Sequence, residues 1–227
     1  MLKYLMIASS AAFISACGGD TAPETTPPPP AEEVASSVAT TPSTAELLSE
    51  VSSATYAIEP THASVIWSVS HNGLSNYTAR FTDFSAALNF NAEDPASSTV
   101  TASINPLSVR TDHPDGPDWD TTLGADEKWF NASAHPVITY RSTSVTLTGE
   151  GTGIVQGDLT LLGVTKQMPL SVTFNGVRNF AWFGERDVIG FSATAIFKRS
   201  DFGMSALLPG IGDEVTVTIE TEFLQAE

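Results

Sequence analysis

Between residues 64 and 223 apolar and polar side chains repeatedly alternate one for one, and this period of two restricts the fold more than any other feature of the chain. Val65, Trp67, Val69 and His71 share one face of a strand, with Ser64, Ile66, Ser68 and Ser70 on the other. Asn72-Gly73 then supplies a turn. Phe84, Ala86, Leu88 and Phe90 repeat the pattern, and so do Val100, Ala102 and Ile104. Further strands are expected over 137–140, 145–148, 154–162 and 170–177. Ile189, Phe191, Ala193, Ala195 and Phe197 form another single face. The last strand sets Val215, Val217, Ile219 and Phe223 against Glu214, Thr216, Thr218, Glu220 and Glu222. Eight or nine strands, each apolar on one side, have no long amphipathic helix to cover that side. A sheet that closes on itself solves the problem. The expected fold is all-β, an antiparallel eight-stranded barrel. Its one helical insertion, over 118–131, carries Leu123 and Phe130 seven residues apart and is placed to plug one barrel end.

The alternation does not extend to the start of the chain. Residues 1–16 hold one cation, Lys3, no acid, an apolar run from Tyr4 to Phe13, and small residues before Cys17. That is the pattern of a secretory signal peptide, too short to span a bilayer as a permanent helix. Residues 17–53 are rich in Thr, Ser, Ala, Pro and Glu, with four prolines at 27–30. Such a segment cannot bury enough apolar surface to fold, and is expected to be a disordered tether. Its only hint of order is a single helical turn over 46–51. Residues 54–227 are long enough for one good core.

Cys17 is the only cysteine. With no partner in the chain, a thiol in an oxidising compartment is modified, pairs with another chain or stays reactive. Ile14-Ser15-Ala16-Cys17 resembles the lipobox of bacterial lipoproteins. The resemblance implies a lipid on the thiol and an acyl chain, such as palmitate, on the new amino terminus. More than one acyl chain is what stable anchoring requires. Gly18 is not Asp, which by the same resemblance favours the periplasmic side of the outer membrane over the inner.

The charge narrows the partners. Ten cations face 26 acids, a formal net charge of −16. Loss of Lys3 with the signal peptide would leave about −17. Nucleic acid and anionic lipid surfaces are poor partners for such a body. Enzyme signatures are absent: there is no Gly-x-Ser-x-Gly, His-Glu-x-x-His, phosphate-cradling loop or dinucleotide fingerprint. The chain reads as a non-enzyme with no cofactor and no metal. His71 is either a contact for a polar head group or a structural histidine at the barrel mouth. His62 reads as stabilising a turn, and His113 sits in an acidic Pro/Gly loop. Arg199 and Asp201 are expected to pair before Gly203. The aromatic stretch 179–184 lies between strands, as a rim or as packed loop.

In order along the chain stand several blocks: Tyr56-Ala57-Ile58-Glu59 to His62; Trp67 and His71-Asn72-Gly73; Phe81 and Phe84; Ser108-Val109; Asp120, Leu123, Asp126 and Phe130; Gly157-Asp158-Leu159-Thr160-Leu161 with Gly163-Val164-Thr165-Lys166; and Arg199 to Gly203 with Gly212-Asp213-Glu214-Val215. In these blocks the chain resembles the YceI-like proteins, a lipocalin-like family of bacterial periplasmic barrels. Ala79 and Ala86 stand where the family usually has Gly, Thr122 where it often has His, and Glu59 where it has Asp. The resemblance implies a barrel with an apolar tunnel that holds an isoprenoid, a quinone-like molecule or another amphiphilic lipid. Some members are dimers, so a homodimer stays open. Periodicity alone leaves the inward aromatics as either cavity wall or dry core. The resemblance makes Val65, Trp67, Val69, His71, Phe84, Phe90, Ile104, Phe191 and Phe197 the ligand cavity. The competing reading is an envelope or stress-response scaffold with a packed barrel.

Overall fold

The computed structural model describes residues 43–227. Signal peptide, Cys17 and most of the expected tether lie outside those residues. Eleven hydrogen-bonded segments form one antiparallel sheet that closes on itself. They amount to eight long strands, because three strands are broken in the middle. β1 (Ala54–Ile58) and β2 (Ser64–His71) are halves of the first. β3 (Ser75–Phe81) and β4 (Phe84–Phe90) are halves of the second, lying against β2 and β1. β5 (Thr99–Ile104) and β6 (Val109–Arg110) make the third, against β4 and β3. Then β7 (Ile138–Gly149), β8 (Thr152–Leu161), β9 (Val164–Asn179), β10 (Asp187–Lys198) and β11 (Ile211–Gln225) follow as sequential neighbours. β11 closes the ring by pairing with both β1 and β2.

Two of the breaks begin at proline, which cannot donate to a ladder. Pro60 and Pro106 each open a short 3-10 turn. The freed backbone is capped locally. Glu59 accepts the N–H groups of Thr61 and His62, and Asn105 accepts that of Leu107. His62 therefore stabilises a turn, as its position suggests.

The inward face follows the sequence alternation until a bulge shifts it. Met168, Leu170, Val172 and Phe174 of β9 line the interior, and then Val177 is buried instead of residue 176. The register slips here between Gly190 and Phe191 of β10: Asn175 is the extra residue, and Gly176 beside it takes φ +126°. β7 slips between Ser142 and Ser144, so Ile138 and Tyr140 are followed inward by Val145 and Leu147. β9 starts six residues earlier than the alternation predicts. Pro169 is tolerated because β10 pairs with β9 only from Ser171 onward, leaving one neighbour at the proline.

Two helices flank the barrel. α2 (Pro117–Ala125) falls within the expected insertion and fills the gap where β6 has no β7 partner. Leu123 is buried there, and Phe130 packs edge-on to Trp67 and Phe81. α1 (Thr44–Ser49) lies at the opposite end of the barrel. Ser43 and Glu46 form a reciprocal capping box. Leu48 packs on the core and Val51 is buried beneath it. The boundary drawn at residue 54 therefore cuts through a packed segment: from residue 43 onward the chain is part of the barrel unit. Composition hid this, since only two apolar side chains carry the docking.

Candidate functional site: an apolar cavity along the barrel

The barrel is hollow. A cavity of about 580 Å³ runs inside it, within the range of roughly 300–1,000 Å³ usual for ligand pockets. Its wall includes Val65, Trp67, Val69 and His71 from β2, Phe84 and Phe90 from β4, Ile104 from β5, and Phe191 and Phe197 from β10. Ala86 also faces the cavity, while Ala79 is buried in its wall. The alternation missed Leu48, Tyr77, Tyr140, Met168 and Trp119, which line it as well. Leu48 came from the supposed tether. Tyr77 and Met168 sit on strand portions that show no clean period of two.

Aromatic rings gather at each end. Near α1, Phe90 lies 6.3 Å from Phe174 and 6.2 Å from Phe191, and Tyr56 and Phe223 extend the group. Near α2, Trp67 lies 6.1 Å from Tyr77 and 6.0 Å from Phe130. Trp119 donates its indole N–H to the Tyr77 hydroxyl at 2.8 Å, which ties the insertion to β3. Trp67 Nε1 is buried and has no hydrogen-bond partner among the described residues.

Tyr140 crosses the wall of the cavity. Its hydroxyl reaches the Val155 carbonyl at 2.9 Å and the Met168 carbonyl at 3.2 Å, on two successive strands. Burial, and then the charge of Asp158, hold its phenol well above the ordinary tyrosine range. The ring can lie there because residue 157 is glycine. A Cβ at that position would run into the Tyr140 ring.

Polar groups concentrate at the α2 end. His71 is exposed at that mouth, on the expected face and next to Ile211. His113 also lines the cavity and stacks on Trp119 with 5.5 Å between rings. Arg199 does not pair with Asp201. It is buried, and its guanidinium donates to the carbonyls of Met204, Ala206, Ile211 and Gly212. The loop after β10 is thus clamped by a planar five-donor fork. Ser200 donates its N–H and hydroxyl to the Asp213 carboxylate. One carboxylate–imidazole cluster stands among the described residues: Glu59, His62 and Glu222. Its Glu59 oxygens are already used in capping the turn at residues 60–62.

A closed eight-stranded meander around an apolar cavity, with short α-helices flanking it, defines a lipocalin-like barrel. The chain belongs to the YceI-like domain family, whose pattern matches residues 56–223. It is 36% identical over 171 residues to a UPF0312 protein of Ectopseudomonas mendocina, covering 74% of this chain and 86% of that one. A UPF0312 protein of a Shewanella species is 33% identical, covering 75% and 87%. Among solved structures, the YceI protein of Campylobacter jejuni superposes with a TM-score of 0.60 at 26% identity, over 70% of this chain and 90% of that one. BcnA of Burkholderia cenocepacia gives 0.63 at 20% identity, covering 73% and 98%. A polyisoprenoid binding domain from Saccharophagus degradans gives 0.56 at 14% identity, covering 75% and 98%. These last two establish the shared fold alone.

Proposed function

We propose that this protein sequesters or carries an isoprenoid, quinone-like or other amphiphilic lipid, with the tail in the barrel and the head group at the α2 mouth near His71. The observation that carries the reading is the 580 Å³ cavity with an almost wholly apolar wall. A scaffold needs only a filled barrel. Burying hydrocarbon in a hollow one releases about 0.8 kcal/mol per CH₂ before the costs of binding. A polyisoprenoid binding domain shares the barrel fold, which makes that ligand class the first to test. The role read here is binding, which an apolar wall serves directly.

The anchor belongs to the same reading. Cys17, lipidated and acylated, tethers the barrel on the periplasmic side of the envelope, at the outer membrane in preference to the inner. Binding is tested by titrating the protein with a polyprenyl phosphate or a long-chain quinone. Ala193 lines the cavity, and Ala193→Trp fills part of it. Displacing two methylenes costs about 1.6 kcal/mol, so affinity falls about tenfold or more. Unchanged affinity in a variant with unchanged circular dichroism would place the ligand outside the barrel. Ala102→Leu, a smaller change on the same wall, covers the case in which the tryptophan prevents folding.

A further inference from the structure

The seven residues between β9 and β10 carry a feature that lipid binding inside the barrel does not use. Phe180 and Trp182 stack face to face with 4.5 Å between rings, and Phe183 lies 6.4 Å from Phe180. Trp182 is 74% exposed. None of the three rings belongs to either buried cluster of the barrel. The loop is nonetheless built to hold one shape. Arg186 donates to the carbonyls of Phe183 and Gln225, Asn179 donates to that of Glu185, and Glu185 returns its N–H to Phe180. A rigid turn thus displays an indole to the outside.

The same end of the barrel receives the amino-terminal segment. The Ser52 N–H donates to Asp187 at 2.7 Å, directly beside the loop, and the Tyr56 hydroxyl meets both residues. Upstream of the described residues lie 42 more, with Cys17 25 residues before residue 42. Even fully extended, 25 residues span at most about 80–90 Å. The connection to an anchor at Cys17 therefore joins the barrel at this end, beside this loop.

We propose that the Phe180–Trp182–Phe183 loop docks in the interfacial layer of a zwitterionic phospholipid bilayer, seating the α1 end of the barrel on the membrane. The proposal rests on the reading of Cys17 as a membrane anchor. Tryptophan favours the headgroup level of a bilayer, where one part of the ring is dry and the N–H is wet. Arg178 precedes the loop, is exposed, and has no ion-pair partner among the described residues, so its charge can meet a lipid phosphate. A chain with formal net charge −16 is repelled by anionic lipid, so the contact is apolar and suits a zwitterionic surface. Anionic lipid weakens it.

The test uses the full chain isolated from bacterial membranes and mixed with phosphatidylcholine vesicles whose acyl chains carry bromine. Flotation reports the anchor. Tryptophan quenching reports the docking, and the Trp182→Phe variant isolates the Trp182 signal from Trp67, Trp119 and Trp129. The expected result is flotation together with bromolipid quenching that is lost in Trp182→Phe, and Trp182 protected from iodide. Flotation with Trp182 still open to iodide and unquenched by bromolipid would leave the anchor standing and overturn the docking. Neither flotation nor quenching would overturn both. Iodide protection that needs no vesicles and rises with protein concentration would identify a second copy of the chain as the occupant and overturn the membrane assignment.

Discussion

Gly157 shows how one missing side chain shapes the barrel. Tyr140 spans from β7 to a carbonyl of β9 across the surface of β8, and the space it crosses is the space a Cβ of residue 157 would fill. Gly157→Ala is expected to destabilise by about 1–3 kcal/mol through overpacking, read as a lower urea midpoint with an unchanged slope. An unchanged midpoint would mean the ring moves freely. The same stretch, 157–161, is the most specific block of the family resemblance, and the close approach gives its glycine a physical reason. Trp67 makes the opposite case. Its buried indole N–H has no partner, an arrangement that costs about 1–3 kcal/mol. Trp67→Phe removes that donor along with some apolar surface, so the two effects offset and stability stays within about 1 kcal/mol. A loss of 3 kcal/mol or more in urea unfolding would show that the N–H is satisfied after all.

At the scale of elements, Asp187 fixes the amino-terminal segment to the barrel. Burial alone would raise its pKa, but hydrogen bonds from Ser52, Asn179 and Tyr56 outweigh burial and hold it below the ordinary aspartate value. A depressed folded-state pKa gives stability that is present above the unfolded value, about 3.9, and is lost as pH falls through the folded value. Asp187→Asn is therefore expected to cost about 2 kcal/mol at pH 7, with the deficit shrinking as pH drops below about 3.9. Faster amide exchange at Ser52 in the variant would locate the loosening at α1; a deficit that is the same at pH 3 and pH 7 would contradict the account. This segment also marks where the sequence was opaque. Leu48 and Val51 sit in a run whose composition says tether, and nothing local announces that Asp187 waits for Ser52, some 135 residues away. Strand faces were legible wherever the alternation ran unbroken, as in β2, β4, β5, β10 and β11. They were illegible past Gly176 and Ser142, where a single extra residue reverses which side chains point inward. Arg199 was read as half of an ion pair because an acid lies two residues on. Its real partners are carbonyls supplied by a loop whose path no local pattern specifies.

For the whole molecule, the central claim is that the barrel is a container. The alternation and the family resemblance point to its wall, which Val65, Trp67, Phe84, Phe191 and Phe197 help to build. They also point to a helical plug at one end, but not to the rest of the closure: α2 seats beside β6, the Arg199 clamp shapes one mouth, and α1 packs at the other. Each of these is a long-range arrangement of irregular chain, the part of a fold that periodicity does not encode. The most direct measurement is native mass spectrometry, with organic extraction, of the full chain purified from bacterial membranes without added lipid. The expected result is a discrete adduct of several hundred daltons that extracts as a lipid and diminishes in Ala193→Trp. A bare protein mass, unchanged after incubation with quinones and polyprenyl lipids, would contradict it and leave the barrel a scaffold.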